Sequence, residues 1–478
     1  MTATDTSRDS TADALVVFGI TGDLGRRMTI PALYRLERRG ALPCDVIGVG
    51  RQERTIEEFR AMAREAVEAA EDTVDEQVFE RFVGRLSYLP GDASDPTLCE
   101  RLRDELRDAR HPVFYLAVPP NLFAPIVEVL AEAGLTKDAR VVIEKPFGHD
   151  LASARQLNRQ LLKVVRERQI FRIDHFLGKE PVQDIVYLRF ANELFEPTWN
   201  RHHVESVQIT LAESFDVGDR GSFYDAVGAL RDVVQNHLLQ VLALVTMEAP
   251  AGGGDAIGDR RLDVLRAVRS ADPADCVRGQ YAGYLDHDGV KPDSQTETYV
   301  ALRLWIDNWR WTDVPVLIRA GKAMPLTSTE VRISFRRPPP ILLTDHTEEV
   351  HRHSHVTLRI GADAGASIGV LVKDPAGPMA EPVHLDVSFA EHMERSPRPY
   401  ERLLGDVLRG DRMLFPRQSL VEESWRIVQP LLDDPPPVEE YAKGTWGPSS
   451  AERLAEPYGG WRSPRTPTPQ AATEEEAR

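Results

Sequence analysis

Three stretches of this sequence carry residue types whose spacing suits chemistry. The first is Arg172-Ile173-Asp174-His175-Phe176-Leu177-Gly178-Lys179-Glu180, where a carboxylate, an imidazole and an ammonium fall within six residues. Such a set can orient a base, move a proton and bind an anion. The second is Arg231-Asp232-Val233-Val234-Gln235-Asn236-His237, inside a long helical pattern over Tyr224–Met247. α-Helical periodicity puts Asp232 and Asn236 on one face and His237 about 140° round from Asp232, among Val233, Val234 and Val241. Read from that helix alone, His237 is a buried core histidine. The third is Gly19-Ile20-Thr21-Gly22-Asp23-Leu24-Gly25, followed by a helical segment with Pro31 in its first turn. Glycines at a strand-to-helix turn let the backbone approach a pyrophosphate, which the helix N-terminus then attracts. The spacing is GxxGxxG rather than the commoner GxGxxG, and a glycine turn without a ligand also fits it.

The elements that must hold these residues change rhythm along the chain. Apolar β-rich runs at Leu15–Phe18, Val46–Val49, Leu86–Leu89, Val113–Val118 and Val141–Ile143 are each followed by a turn signal and a charged, helically spaced segment, such as Ile56–Ala70 and Leu98–Ala109. That alternation predicts a parallel, doubly wound α/β sheet. Ligands of such sheets meet the loops at the strands' carboxyl ends. Arg51 after the second run, Pro119 after the fourth and Lys145 after the fifth fall there. An arginine at the end of the second strand suits the 2′-phosphate of NADP, although a solvated arginine fits equally. Beyond about Asp174 come Tyr224–Met247 and then β runs at Thr298–Trp305, Val314–Ala320, Val331–Phe335, Val356–Ile360 and Val383–Phe389. Short connections between them predict a mostly antiparallel sheet, hence an α+β domain. Helical stretches near Tyr400–Leu408 and Leu420–Leu432 close the fold. The expected division is a tail at 1–13, a dinucleotide-binding domain at 14–175, a β+α domain at 176–462 and a tail at 463–478. From about Gly447 the composition, rich in Pro, Ser, Thr, Ala and Glu, already reads as unable to bury much surface.

Composition narrows the partners. The 478 residues are 42% hydrophobic with a formal net charge of −17, which argues against general nucleic-acid or anionic-membrane binding. The three cysteines, Cys44, Cys99 and Cys276, are scattered, so neither a disulfide framework nor a thiolate metal site is expected. With no secretory signal pattern and no apolar run of about 20 residues, the expected setting is the cytosol.

Asp-His-Phe-Leu-Gly-Lys-Glu at 174–180 closely resembles the signature of the glucose-6-phosphate dehydrogenase family. The resemblance extends through the glycine turn, Glu-Lys-Pro-Phe-Gly-His-Asp at 144–150, Arg-Asp-Val-Val-Gln-Asn-His-Leu-Leu-Gln at 231–240, and Gly321-Lys322, and covers roughly 14–462. It implies a Rossmann-type coenzyme domain followed by a β+α domain with a large, mostly antiparallel sheet. It also implies oxidation of D-glucose 6-phosphate to the 6-phosphogluconolactone, entry to the oxidative pentose phosphate pathway, with NADP (or NAD) and without a metal. By resemblance His237 is the general base, overriding the core reading, and Asp174 orients it and stabilises its imidazolium. His175 and Lys179 match phosphate ligands, Glu213 and Asp232 ligands of sugar hydroxyls, and Lys322 a lysine at the far side of the sugar pocket. Lys145 matches a lysine touching both sugar and coenzyme. Gly19, Thr21, Gly22, Asp23, Leu24, Arg51 and Pro119 match coenzyme-binding positions. A homodimer or homotetramer is implied by analogy.

Three positions depart from the family pattern: Met28 and Thr327 stand where many members carry a basic residue, and Phe176 where many carry tyrosine. A charged hydrogen bond to the phosphate is worth roughly 1.5–3 kcal/mol, so weaker phosphate binding or a shifted sugar preference is expected. The alternatives are a dehydrogenase of another aldose phosphate or free sugar, and a catalytically silent NADP-binding sensor; retention of Asp174 and His237 argues against the latter.

Overall fold

The computed structural model describes residues 11–92, 95–252, 254–338, 354–361, 363–376, 380–389, 393 and 396–464. The expected tails lie largely outside these residues. Two compact units divide the chain: Met1–Gln183 with Met247–Arg266 and Ser396–Gln429 form one, and the remaining segments form the other.

The first unit is built on β1 (Ala14–Phe18), β2 (Asp45–Gly50), β3 (Leu86–Pro90), β4 (Pro112–Leu116), β5 (Arg140–Glu144) and β6 (Ile170–Ile173). All pair in parallel, in the order β3-β2-β1-β4-β5-β6. Every residue of β1, β4, β5 and β6 is buried, as near-continuous apolar runs demand when both faces of a sheet are covered. Helix Ile30–Arg38 follows the glycine turn, with proline in its first turn. Helix Ile56–Glu68 starts on a capping box, Thr55 accepting from the Glu58 N–H while the Glu58 carboxylate accepts from that of Thr55.

The second unit holds a nine-stranded sheet of β7 (Val204–Ala212), β8 (Cys276–Tyr281), β9 (Tyr299–Leu304), β10 (Val316–Gly321), β11 (Ser328–Phe335), β12 (His355–Arg359), β13 (Gly365–Lys373), β14 (Ala380–Ser388) and β15 (Val438–Tyr441). Its order is β14-β13-β12-β11-β7-β10-β9-β8-β15, antiparallel except at β7–β10 and β8–β15. The long helical pattern is not one α-helix. It runs as Gly221–Ala229, a π-helical segment Leu230–Leu238 and an α-helix Leu239–Thr246, with Gly228 at φ +70° breaking the first turn pattern.

Residues 447–464 fold, contrary to their tail-like composition. Ala451, Leu454 and Ala455 are buried against Tyr281, Tyr299 and Tyr441, and Trp461 packs on the same cluster. Apolar residues at helical spacing outweigh the prolines and serines around them.

Candidate active site

In the first unit the glycine turn is shaped by backbone. Gly19 sits at φ +76°, and a Cβ there would lie 2.3 Å from the Ala117 carbonyl oxygen. The N–H groups of Gly19 and Ile20 both donate to the Val49 carbonyl, at 2.9 and 3.3 Å, and that of Gly22 donates to the Gly19 carbonyl. The next turn, Gly25–Thr29, is π-helical, and its Gly25 has no room for a side chain because a Cβ would stand 2.0 Å from the Ile20 oxygen. Thr21, Gly22, Asp23 and Leu24 stand on this turn at least partly open to solvent, with Asp23 3.6 Å from Arg27.

Arg51 is exposed one residue past β2, Pro119 is exposed after β4, and Lys145 is half-buried after β5. Asp174 is the first residue past β6. The sheet thus brings the coenzyme candidates, Lys145 and Asp174 to a single edge, formed by the carboxyl ends of parallel strands, where such folds bind their ligands. The tight turn, with backbone in place of side chains at the head of a helix, fits a pyrophosphate.

Asp174 is buried, and its Oδ1 accepts the Phe176 N–H at 3.0 Å. Burial lowers the pKa of the Arg261 guanidinium to about 10, against the pull of the Asp174 carboxylate. Downstream, the His175 ring meets Phe176 edge-on at 5.2 Å, and Lys179 Nζ stands 3.5 Å from the Phe176 ring centroid. The phenylalanine that departs from the family pattern therefore seats the lysine by a cation–π contact.

Sequence reasoning missed two groups here. Arg261 arrives from a distant segment with no local signal. Glu144, the last residue of β5, is buried and takes hydrogen bonds from Tyr115 Oη at 2.7 Å and Tyr400 Oη at 3.4 Å. Burial pushes its carboxyl up to about 7, although the two phenols and Lys145 pull the other way.

In the second unit Lys322 Nζ lies 2.6 Å from Glu213 Oε2, joining residues at the ends of the paired strands β10 and β7. The backbone fixes both: the Glu213 N–H donates to the Gly321 carbonyl at 2.9 Å, and Tyr441 Oη donates to the Lys322 carbonyl at 2.7 Å. Lys322 Nζ also stands 5.1 Å from the centroid of buried Tyr224. Burial, then the carboxylates of Asp232 and Glu213, hold that phenol well above its usual pKa. Tyr224, absent from the sequence-based candidates, thus sits among three that were named.

Asp232 and His237 share the π-helical segment, and His237 is almost wholly buried, its backbone N–H donating to Asn236 Oδ1 at 2.6 Å. This corrects the α-helical geometry. A π-turn bonds i to i+5, so residues five apart lie closer to one face than the 140° an α-helix would give. Thr327 Oγ1 accepts the Ser214 N–H at 3.0 Å and lies 2.8 Å from Ser214 Oγ.

Two family models match the chain: "Glucose-6-phosphate dehydrogenase, NAD binding domain" over residues 16–184 and "Glucose-6-phosphate dehydrogenase, C-terminal domain" over 186–462. The chain is 50% identical over 457 residues to glucose-6-phosphate 1-dehydrogenase 1 of Mycobacterium tuberculosis, covering 95% of this chain and 97% of the relative. It is 40% identical to glucose-6-phosphate 1-dehydrogenase of Treponema pallidum, covering 92% and 93%. The crystal structure of the Mycobacterium avium glucose-6-phosphate 1-dehydrogenase superposes with a TM-score of 0.88 at 50% identity, over 95% of this chain and all of that one. A glucose-6-phosphate dehydrogenase in complex with its substrate glucose 6-phosphate gives 0.87 at 33% identity, over 95% and 99%.

Proposed function

The chain belongs to the glucose-6-phosphate dehydrogenase family, and we propose that it works through His237 as base and Asp174 as the base's carboxylate partner. It is an NAD(P)-dependent oxidoreductase that converts D-glucose 6-phosphate to 6-phospho-D-glucono-1,5-lactone. Oxidation removes a hydride from C1 and a proton from its hydroxyl. NAD(P)+, when bound on the glycine turn, supplies the hydride acceptor. Neutral His237 takes the hydroxyl proton, and ionised Asp174 stabilises the imidazolium that results. Lys179 and His175 grip the phosphate, Glu213 and Asp232 accept from sugar hydroxyls, and Lys145 serves both ligands. Lys322 bounds the sugar pocket and, through its ion pair, holds Glu213 in place. Gly19, Thr21, Gly22, Asp23 and Leu24 cradle the pyrophosphate, with Pro119 beside them. Arg51 reads the 2′-phosphate, which makes NADP the preferred coenzyme.

The observation that carries this reading is buried Asp174 at the ligand-binding edge of the parallel sheet, its Oδ1 held by the Phe176 N–H. Initial rates with glucose 6-phosphate against NADP and NAD separately test it, and Arg51→Ala should weaken NADP far more than NAD. Turnover of free glucose as fast as of glucose 6-phosphate would put the free-sugar alternative first, and Met28 and Thr327, which bring no charge, favour including it in the panel.

Further parts of the reading concern organisation. A division into a coenzyme domain to about residue 175 and a β+α domain to about 462 is supported by family models that meet at 184 and 186. Exposed Leu385 and Val387 on β14 support assembly as a homodimer or homotetramer through the large sheet. A cytosolic setting is the one that fits the chemistry of a sugar phosphate and a soluble coenzyme. Among the described residues no helix is long and apolar enough to cross a membrane.

A further inference from the structure

Glu144 is a carboxyl inside the protein, where an isolated acid is costly unless its oxygens are bonded. Its two oxygens are claimed separately, Oε1 by Tyr115 of β4 and Oε2 by Tyr400 of helix Pro399–Arg409. Tyr115 also shares a hydrogen bond with Thr29, the last residue of the π-turn that follows the glycine motif. One cluster therefore ties the coenzyme turn, the central strand β4 and a helix from more than 250 residues downstream to the end of β5.

The next residue is Lys145. Lys145 follows directly on the last residue of β5, so the point and direction from which it leaves the strand are set by how firmly Glu144 is seated. A buried acid between two phenols is a poor choice for stability alone, since an apolar side chain of similar volume would cost less to bury. It is a good choice for fixing one orientation, because both oxygens have directional partners.

We propose that Glu144 is a positioning residue: gripped by Tyr115 and Tyr400, it aims Lys145 at sugar phosphate and coenzyme. This rests on the reading of Lys145 as a ligand of both. Tyr400→Phe, which removes one hydroxyl and little volume, should raise KM for glucose 6-phosphate by about threefold to tenfold while kcat stays within about twofold. Glu144→Leu should raise it further, and Glu144→Gln, whose amide can still accept from one phenol and donate to the other, should recover most of the loss. In a Lys145→Ala background, adding Tyr400→Phe should shift KM by less than about twofold, because the effect passes through the missing lysine.

If Tyr400→Phe and Glu144→Leu lower the melting temperature but leave KM untouched, the cluster is only structural and the proposal is overturned. Should Glu144→Leu fail to fold, Tyr400→Phe alone decides between these outcomes. A Tyr400→Phe effect that adds in full to Lys145→Ala overturns it too, by showing another route. Lys145→Ala with unchanged KM for both ligands would instead remove Lys145 from the site, and so defeat the underlying reading along with the inference.

Discussion

The glycine turn after β1 takes its shape from backbone packed against backbone, whereas Glu213 and Lys322, 109 residues apart, meet through their charged side chains. The turn excludes side chains at Gly19 and Gly25 and presents backbone at its surface, while its neighbours Thr21 and Asp23 stand partly or largely in solvent and matter less as side chains. The sugar-binding candidates are the reverse. Each acts through a particular charged or hydrogen-bonding group, and each such group can be removed without disturbing the backbone beneath it. A site of the first kind fails when a side chain is added; one of the second kind fails when a side chain is taken away.

The sharpest test of that contrast is His237→Asn, which deletes one basic nitrogen from a buried position. It should lower kcat by about 10²–10⁴-fold while leaving coenzyme affinity and the melting temperature close to wild type. Near-normal turnover would take His237 out of the mechanism. Lys179→Ala comes next, since Met28 and Thr327 supply no charge to share the phosphate. KM for glucose 6-phosphate should rise roughly 30- to 160-fold, the equivalent of about 2–3 kcal/mol, and free glucose should be indifferent. An equal change for free glucose would show that Lys179 does not read the phosphate.

Adding a side chain to the turn should hurt the coenzyme alone. Gly19→Val places a β-branched residue at positive φ against the Ala117 carbonyl, and strain of about 1–3 kcal/mol corresponds to roughly 5- to 150-fold weaker NADP binding by fluorescence titration. Asp23→Ala, which removes an exposed side chain and a surface ion pair, should change NADP affinity by less than about threefold. If the two substitutions had equal effects, the turn would be reading its ligand through side chains after all. The smallest effect expected on the sugar side belongs to Thr327→Arg. It restores a cation near the sugar pocket but gives up the hydrogen bond from the Ser214 N–H, so KM for glucose 6-phosphate should fall only severalfold. A rise would mean that the missing bond outweighs the added charge.

How legible each region was follows the same divide. The runs that became β1 to β5 were visible because strands covered on both faces are continuously apolar and end in turn residues. β7 escaped notice: it buries Gln208 and Thr210, and polar residues inside a strand hide its pattern. The Gln208 amide donates to the Gly460 carbonyl and accepts the Arg462 N–H, partners supplied by a segment whose composition looks like a tail. In β13, glycines at 365 and 369 weaken the β signal. The glycine turn could be read locally since its geometry is local. Glu213 and Lys322 could be named only from the family resemblance, because nothing in either neighbourhood foretells a partner 109 residues away. The relation of Asp232 to His237 was misjudged for another reason: no side-chain pattern distinguishes a π-turn from the α-helix on either side of it.

Because Ser396–Gln429 belongs to the first unit, the order of synthesis leaves that unit unfinished for a time. Leu408 accepts the Ala12 N–H at 2.8 Å, Arg140 donates to the carbonyls of Val407 and Leu408 at 2.9 and 3.0 Å, and Trp425 donates to that of Phe147 at 3.0 Å. A ribosome releases residue 183 long before it makes any of these later groups. At about 5–20 residues per second the wait is roughly 10–40 s, during which Arg140 lacks its carbonyl acceptors and the apolar face awaiting Leu403, Leu404 and Val407 stays open. Every strand of the nine-stranded sheet except β15 is synthesised in that interval. The nascent chain therefore makes every strand of its parallel sheet first and completes the unit around it late, and the exposed face in between is where a chaperone has most to protect.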